Sequence, residues 1–167
     1  MVREIKRVSI YNIDKFASEM NMKQDNDKLT FYVQPVITAS ETLPLATERV
    51  SAGFPSPVEN NIDDVLDLNK LLIKNPSATF FVRVDGDSMI NAGINSGDIL
   101  IVDKSLDASN NDVVIAVLNG EFTLKRLIIK NGEYILQPEN PIYKSIVIGE
   151  GADFEIWGKV VSVIHKF

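Results

Sequence analysis

The sequence predicts a mainly β fold: a curled antiparallel sheet or barrel with one short helix and an extended N-terminal arm. Three observations predict it. From residue 79 onward, short runs rich in Val, Ile, Phe and Leu alternate with turns containing Gly or Asn. Asn119-Gly120 and Asn131-Gly132 each sit between two such runs, the signature of a tight hairpin whose central residues need positive φ. Residues 38–58 are rich in Pro, Ser, Thr and Ala and read as an exposed arm.

The elements follow in order. Residues 1–28 are polar and mixed in charge, with Ile10, Ile13, Phe16 and Met20 at helical spacing behind a cap at Ser9. A short amphipathic helix and a disordered tail both fit them. Residues 29–37 read as a strand, and Pro35 marks an edge. A helix is expected next. Asn60 or Asn61 caps it, Asp63 and Asp64 suit its first turn, and Ile62, Val65, Leu66, Leu68, Leu72 and Ile73 form its apolar face. Asn75-Pro76 ends it. Strands are expected at Thr79–Asp85, Ile99–Asp103, Val113–Leu118, Glu121–Ile129, Tyr134–Gln137, Ser145–Ile148 and Phe154–Ile164. The organisation expected is an N-terminal extension over 1–28, an arm over 29–58 and a β-rich domain over 59–167.

Composition narrows the function. At 167 residues and 45% apolar, the chain suits one compact domain with an appendage. No run approaches the ~20 apolar residues of a membrane span. The basic start, Met1 to Arg7, is followed by no apolar signal stretch, so a cytoplasmic location is expected. With no cysteine, disulfides and thiolate metal sites are excluded. The single histidine, His165, leaves little room for a Ser-His-Asp arrangement, and it reads as a surface residue. Net charge is −6 with no dense basic run, so direct duplex DNA binding is not expected. No cofactor and no metal are expected. The Asp63, Asp64 and Asp67 cluster is explained better by helix capping than by a metal site.

Two polar residues stand out against this apolar pattern. Ser88 follows Gly86-Asp87 at the end of an expected strand, and Lys125 lies within another. A serine hydroxyl is a weak nucleophile until a nearby base takes its proton. A lysine serves only when neutral, which at its ordinary pKa costs about 4.6 kcal/mol at pH 7. Apolar burial lowers that cost by destabilising the ammonium form. Strand alternation puts Phe122, Leu124 and Arg126 on one face and Thr123, Lys125 and Leu127 on the other. The backbone N–H of Ser88 is placed to stabilise an oxyanion. Simpler readings stand beside these. Gly-Asp-Ser is an ordinary turn, and a strand lysine is usually a solvated edge charge. Trp157 reads as core or interface, and Glu139 and Asn140 read as turn residues between two prolines.

The arm offers a target. Ala52 and Gly53 leave little bulk around their shared peptide bond, and Pro55 and Pro57 keep the following chain extended. Peptidases bind substrates extended. A tethered substrate can reach effective molarities of roughly 10⁵ M, so a slow site could still cut its own arm. A plain Pro-rich linker is the alternative.

The residue blocks together resemble a known family. They include Leu43-Pro44-Leu45, Ala52 to Pro57, Asp67 to Ile73, Pro76 to Thr79, Gly86-Asp87-Ser88-Met89-Ile90, Gly97 to Asp103 and Gly120 to Leu127. In this order the chain is similar to the UmuD-like accessory subunits of error-prone translesion DNA polymerases, within the LexA-type Ser/Lys self-cleaving peptidases. The resemblance covers roughly residues 29–167. It implies a signal-peptidase-like β fold, Ser88 as nucleophile, Lys125 as general base and Ala52–Gly53 as the scissile bond. It implies a homodimer, cleavage stimulated by a RecA filament on single-stranded DNA, and assembly with a Y-family polymerase subunit in the SOS response. Ala52 stands where the best-known member has cysteine, as it does in LexA-type repressors. Residues 1–28 match no segment of the UmuD-like subunits. A LexA-type repressor needs a helix-turn-helix before the cleavage site, where this chain reads extended. A leader peptidase needs a membrane anchor. A peptidase-dead interaction module retaining the fold is the remaining alternative.

Overall fold

A computed structural model describes residues 28–32, 42–45 and 64–167. In chain order its elements are β1 (Lys28–Tyr32), β2 (Thr42–Leu45), β3 (Asp64–Asp67), α1 (Leu68–Leu72), β4 (Thr79–Asp85), β5 (Ile99–Asp103), β6 (Val113–Leu118), β7 (Glu121–Lys130), β8 (Glu133–Gln137), β9 (Ile146–Val147) and β10 (Phe154–Ile164). They fall into two units. Residues 28–32 and 75–167 belong to the larger one, and residues 42–45 and 64–74 to the smaller.

The larger unit is an eight-stranded sheet in the order β1-β4-β5-β10-β6-β7-β8-β9, antiparallel throughout. Its two tight hairpins sit where the Asn-Gly pairs predict them. Asn119 and Gly120 have φ of 51° and 84°, and Asn131 and Gly132 have 53° and 82°. Positive φ at both central positions gives a turn whose twist matches that of the flanking strands. The long strand β10 bridges β6 on one side and β5 on the other, with register shifts between Ile156 and Gly158 and between Val160 and Ser162. Such irregularities bend a strand and raise its twist, which lets a sheet curl.

The curl buries both faces of the central strands. Ile115 and Leu124, paired across β6 and β7, lie in one core cluster with Val82, Val84, Met89, Leu100 and Val102. Val114 and Ala116 alternate to the opposite face and pack with Leu127 and Leu136 in a second cluster. The run Val113–Leu118 is therefore apolar without a break. Each fully buried Leu or Ile contributes about 1.5–3 kcal/mol.

In the smaller unit β2 and β3 pair antiparallel, Thr42 opposite Asp67 and Leu45 opposite Asp64. The expected helix is shorter than its apolar pattern suggests. Asp64–Asp67 is strand, and α1 begins only at Leu68. The cause is local. Asp67 has extended φ and ψ, and its carboxylate accepts hydrogen bonds from the Asn69 and Lys70 backbone N–H groups at 2.9 and 3.2 Å. That is an N-cap, and it starts the helix there. β2 likewise lies inside the stretch read as an exposed arm. Residues 33–37, the caps proposed at Asn60 and Asn61, and the helical pattern at Ile10 to Met20 lie outside the described residues. Among the described residues, no helix is long and apolar enough to cross a membrane.

Candidate active site

Ser88 occupies the loop after β4. Gly86, with φ of 130°, takes the chain out of the strand through backbone geometry that a side chain would oppose. Met89 is 1% exposed and anchors the loop in the first core cluster, so the residue after Ser88 fixes its height above the sheet. A short 3₁₀ turn at Ile90–Ala92 follows and closes at Gly93, whose N–H donates to the Ile90 carbonyl.

Lys125 lies on β7 opposite Val114, and its neighbour Leu124 faces the first core cluster. A regular ladder on a buried strand leaves the side chain few directions. Its Nζ lies 3.0 Å from Ser88 Oγ and 3.0 Å from the Leu124 carbonyl oxygen, donating to both. Ser88 is 3% exposed and Lys125 6%. The two polar residues singled out from the sequence thus meet in a site largely closed to water. Among the described residues no acceptor takes the Ser88 backbone N–H. Ala52 and Gly53 lie outside the described residues.

The loop between β8 and β9 holds this arrangement. The Glu139 N–H donates to the Ser88 carbonyl at 2.8 Å, and the Asn91 N–H donates to the Glu139 carbonyl at 2.9 Å. Asn140 Nδ2 donates to the Asp87 carbonyl at 3.0 Å and to the Asp87 carboxylate at 3.3 Å. The Tyr143 hydroxyl donates to the other Asp87 carboxylate oxygen at 2.5 Å. The Glu139 carboxylate pairs with the guanidinium of Arg126, the residue after Lys125. Glu139 and Asn140 are therefore more than turn residues: they tie the Ser88 loop to the strand carrying Lys125. The two prolines around them marked a rigid turn in the sequence but not what the turn would grip.

The other residues weighed from the sequence lie in different surroundings. His165 Nδ1 is 2.6 Å from Asp98 Oδ1, so this histidine is exposed, as expected, yet tied to a buried carboxylate. Trp157 packs against Phe80 and Phe122 beside the first core cluster. Among the described residues no group of three or more His, Cys, Asp or Glu could hold a metal ion.

Fold and site together define a class: a mainly β domain curled around a buried serine–lysine contact. Residues 44–161 match the family described as Peptidase S24-like, and the chain belongs to that family. It is similar to Protein SamA of Salmonella typhimurium, 47% identical over 125 residues that cover 75% of this chain and 86% of SamA. It is 40% identical to Protein MucA of Escherichia coli over 122 residues, 71% of this chain and 82% of MucA. It is also 43% identical to LexA repressor 1 of Geobacter sulfurreducens over 116 residues, 68% of this chain and 56% of the repressor.

Proposed function

We propose that this protein is a serine endopeptidase that cuts its own chain between Ala52 and Gly53. The cut converts it into the active accessory subunit of a translesion DNA polymerase. The observation that carries the reading is the buried 3.0 Å contact between Ser88 Oγ and Lys125 Nζ. Membership of the Peptidase S24-like family supports it.

The chemistry runs in two halves. Lys125, as the free amine, takes the proton from Ser88 Oγ while the oxygen attacks the Ala52 carbonyl carbon. Negative charge moves to the carbonyl oxygen, where the Ser88 N–H stabilises it. The carbon–nitrogen bond then breaks, and the Lys125 ammonium returns its proton to the departing Gly53 nitrogen. Water, deprotonated by the same amine, hydrolyses the Ala52 ester and frees Ser88. Residues 1–28 would be a leading extension and residues 29–58 an arm that starts as an edge strand. Residues 59–167 would be the peptidase. In this reading the protein works in the cytoplasm as a homodimer. A RecA filament on single-stranded DNA favours the arm conformation that reaches Ser88, and the trimmed dimer joins a Y-family polymerase subunit in the SOS response.

Incubation with RecA, ATP and single-stranded DNA should release a fragment beginning at Gly53. An intact chain under conditions that cleave a LexA control overturns the reading, as does cleavage that persists in Ser88→Ala. The likeness to LexA repressor 1 favours a second reading, a repressor, which sequence-specific operator binding in a gel shift would establish.

A further inference from the structure

We propose that Asn140 is a positioning residue that aims the Ser88 backbone N–H, a role that rests on the serine-peptidase reading above. A peptide group is planar and trans, so its C=O and N–H point in opposite directions. The C=O of the peptide joining Asp87 to Ser88 accepts from Asn140 Nδ2 at 3.0 Å and from the Ile90 N–H at 3.2 Å. The Ser88 N–H must then point away from Asn140, and no acceptor among the described residues claims it. The next peptide is held as well, by the Glu139 N–H on the Ser88 carbonyl. Two consecutive residues of one loop therefore fix the peptide planes on both sides of the nucleophile.

Asn140 is suited to this. It is 6% exposed, so water competes little for its amide. Its Oδ1 accepts from the Ile142 N–H at 3.1 Å, which sets the orientation of the amide and turns Nδ2 toward Asp87. Asp87 in turn offers Nδ2 two acceptors, its carbonyl and its carboxylate. Without that donor the Asp87 carbonyl keeps only the longer bond from the Ile90 N–H, so the Asp87–Ser88 peptide can tilt and its N–H lose its aim at the oxyanion. Losing one such donor costs roughly 10²–10³-fold in rate.

The test uses the full chain and three readouts: self-cleavage at alkaline pH, labelling of Ser88 by a fluorophosphonate, and melting temperature. Asn140→Asp keeps the size and the Oδ1 acceptor but sets an oxygen against both Asp87 acceptors. Both rates should fall roughly 10²-fold, while the pH dependence keeps its shape because Lys125 is untouched. The paired variant Asp87→Asn with Asn140→Asp lets the two side chains bond again but returns no side-chain donor to the residue-87 carbonyl, which keeps only the Ile90 N–H. Its melting temperature should recover and its rates should stay low. Where Asn140→Asp does not fold, Asn140→Ser removes the reach without adding charge and should show the same loss. Wild-type rates in the single variants, or rates that recover together with melting temperature in the pair, overturn the positioning role and leave the peptidase reading intact. A native chain that neither cleaves nor labels at Ser88 overturns both.

Discussion

Gly158 of β10 and Val102 of β5 approach so closely that a Cβ at position 158 would stand 2.6 Å from Val102 Cγ1. Val102 is fully buried, and its branched side chain is stiff at χ1. Gly158→Ala should therefore destabilise the fold by about 1–3 kcal/mol through overpacking. For a chain of this length that lowers the melting temperature by roughly 2–4 °C per kcal/mol. An unchanged melting temperature would show that the sheet yields at this crossing.

Lys125→Arg keeps a positive charge near Ser88 but cannot supply a base, because a guanidinium does not lose its proton in proteins. Self-cleavage should drop as far as in Lys125→Ala, by roughly 10²–10⁴-fold. Substantial cleavage by the arginine variant would remove the lysine from its proposed role.

A base that must shed a proton before it works gives a rate that climbs with pH. Mass spectrometry of the protein held at increasing alkaline pH should show the Gly53 fragment forming faster at each step. A flat profile contradicts a lysine base.

Asp103 is buried, which by itself would raise its pKa; hydrogen bonds from Ser105 and Asn75 outweigh burial and hold it below the ordinary carboxylate value. A depressed folded pKa gives stability that is present above the unfolded value and lost as pH falls through the folded one. Asp103→Asn should therefore cost about 2 kcal/mol at neutral pH. The gap from the wild-type protein should close as the pH falls below the ordinary carboxylate range. Thermal melts across that range measure it, and a gap that stays constant would show that the charge of Asp103 plays no part.

Lys104 Nζ lies 4.6 Å above the ring of Trp157, the only tryptophan, and 5.5 Å from that of Phe80. Burial pushes its pKa down, against the upward pull of Glu155. The folded protein then releases this proton before the unfolded chain does, so this contribution to stability rises with pH across the window below the ordinary lysine value. Trp157 emission should titrate in that window, and Lys104→Met should abolish the transition.

Much of the sheet was legible because it rests on local rules. The Asn-Gly turns fix two hairpins, and the apolar runs give β4, β5, β6, β7 and β10 within a residue of their observed ends. Ser88 and Lys125 could be paired because the ordered motif blocks resemble the Ser/Lys peptidases; taken alone, Gly-Asp-Ser reads as a turn and a strand lysine as an edge charge. The start of α1 was misjudged because Val65 and Leu66 fit a helical face as well as a strand, and the Asp67 cap decides between them. The hold of Asn140 on Asp87 was invisible for another reason. Asn140 and Asp87 are 53 positions apart, and nothing near either names its partner.

β1 is the outermost strand of the sheet, held to β4 by five residue pairs, and it precedes Ala52 in the chain. A break after Ala52 would turn it from a tail into a detachable ligand. What had been a unimolecular attachment would become a concentration-dependent equilibrium, and dilution alone would strip Lys28–Tyr32 away. Thr79–Asp85 would then be left as a bare margin, ready to accept another chain.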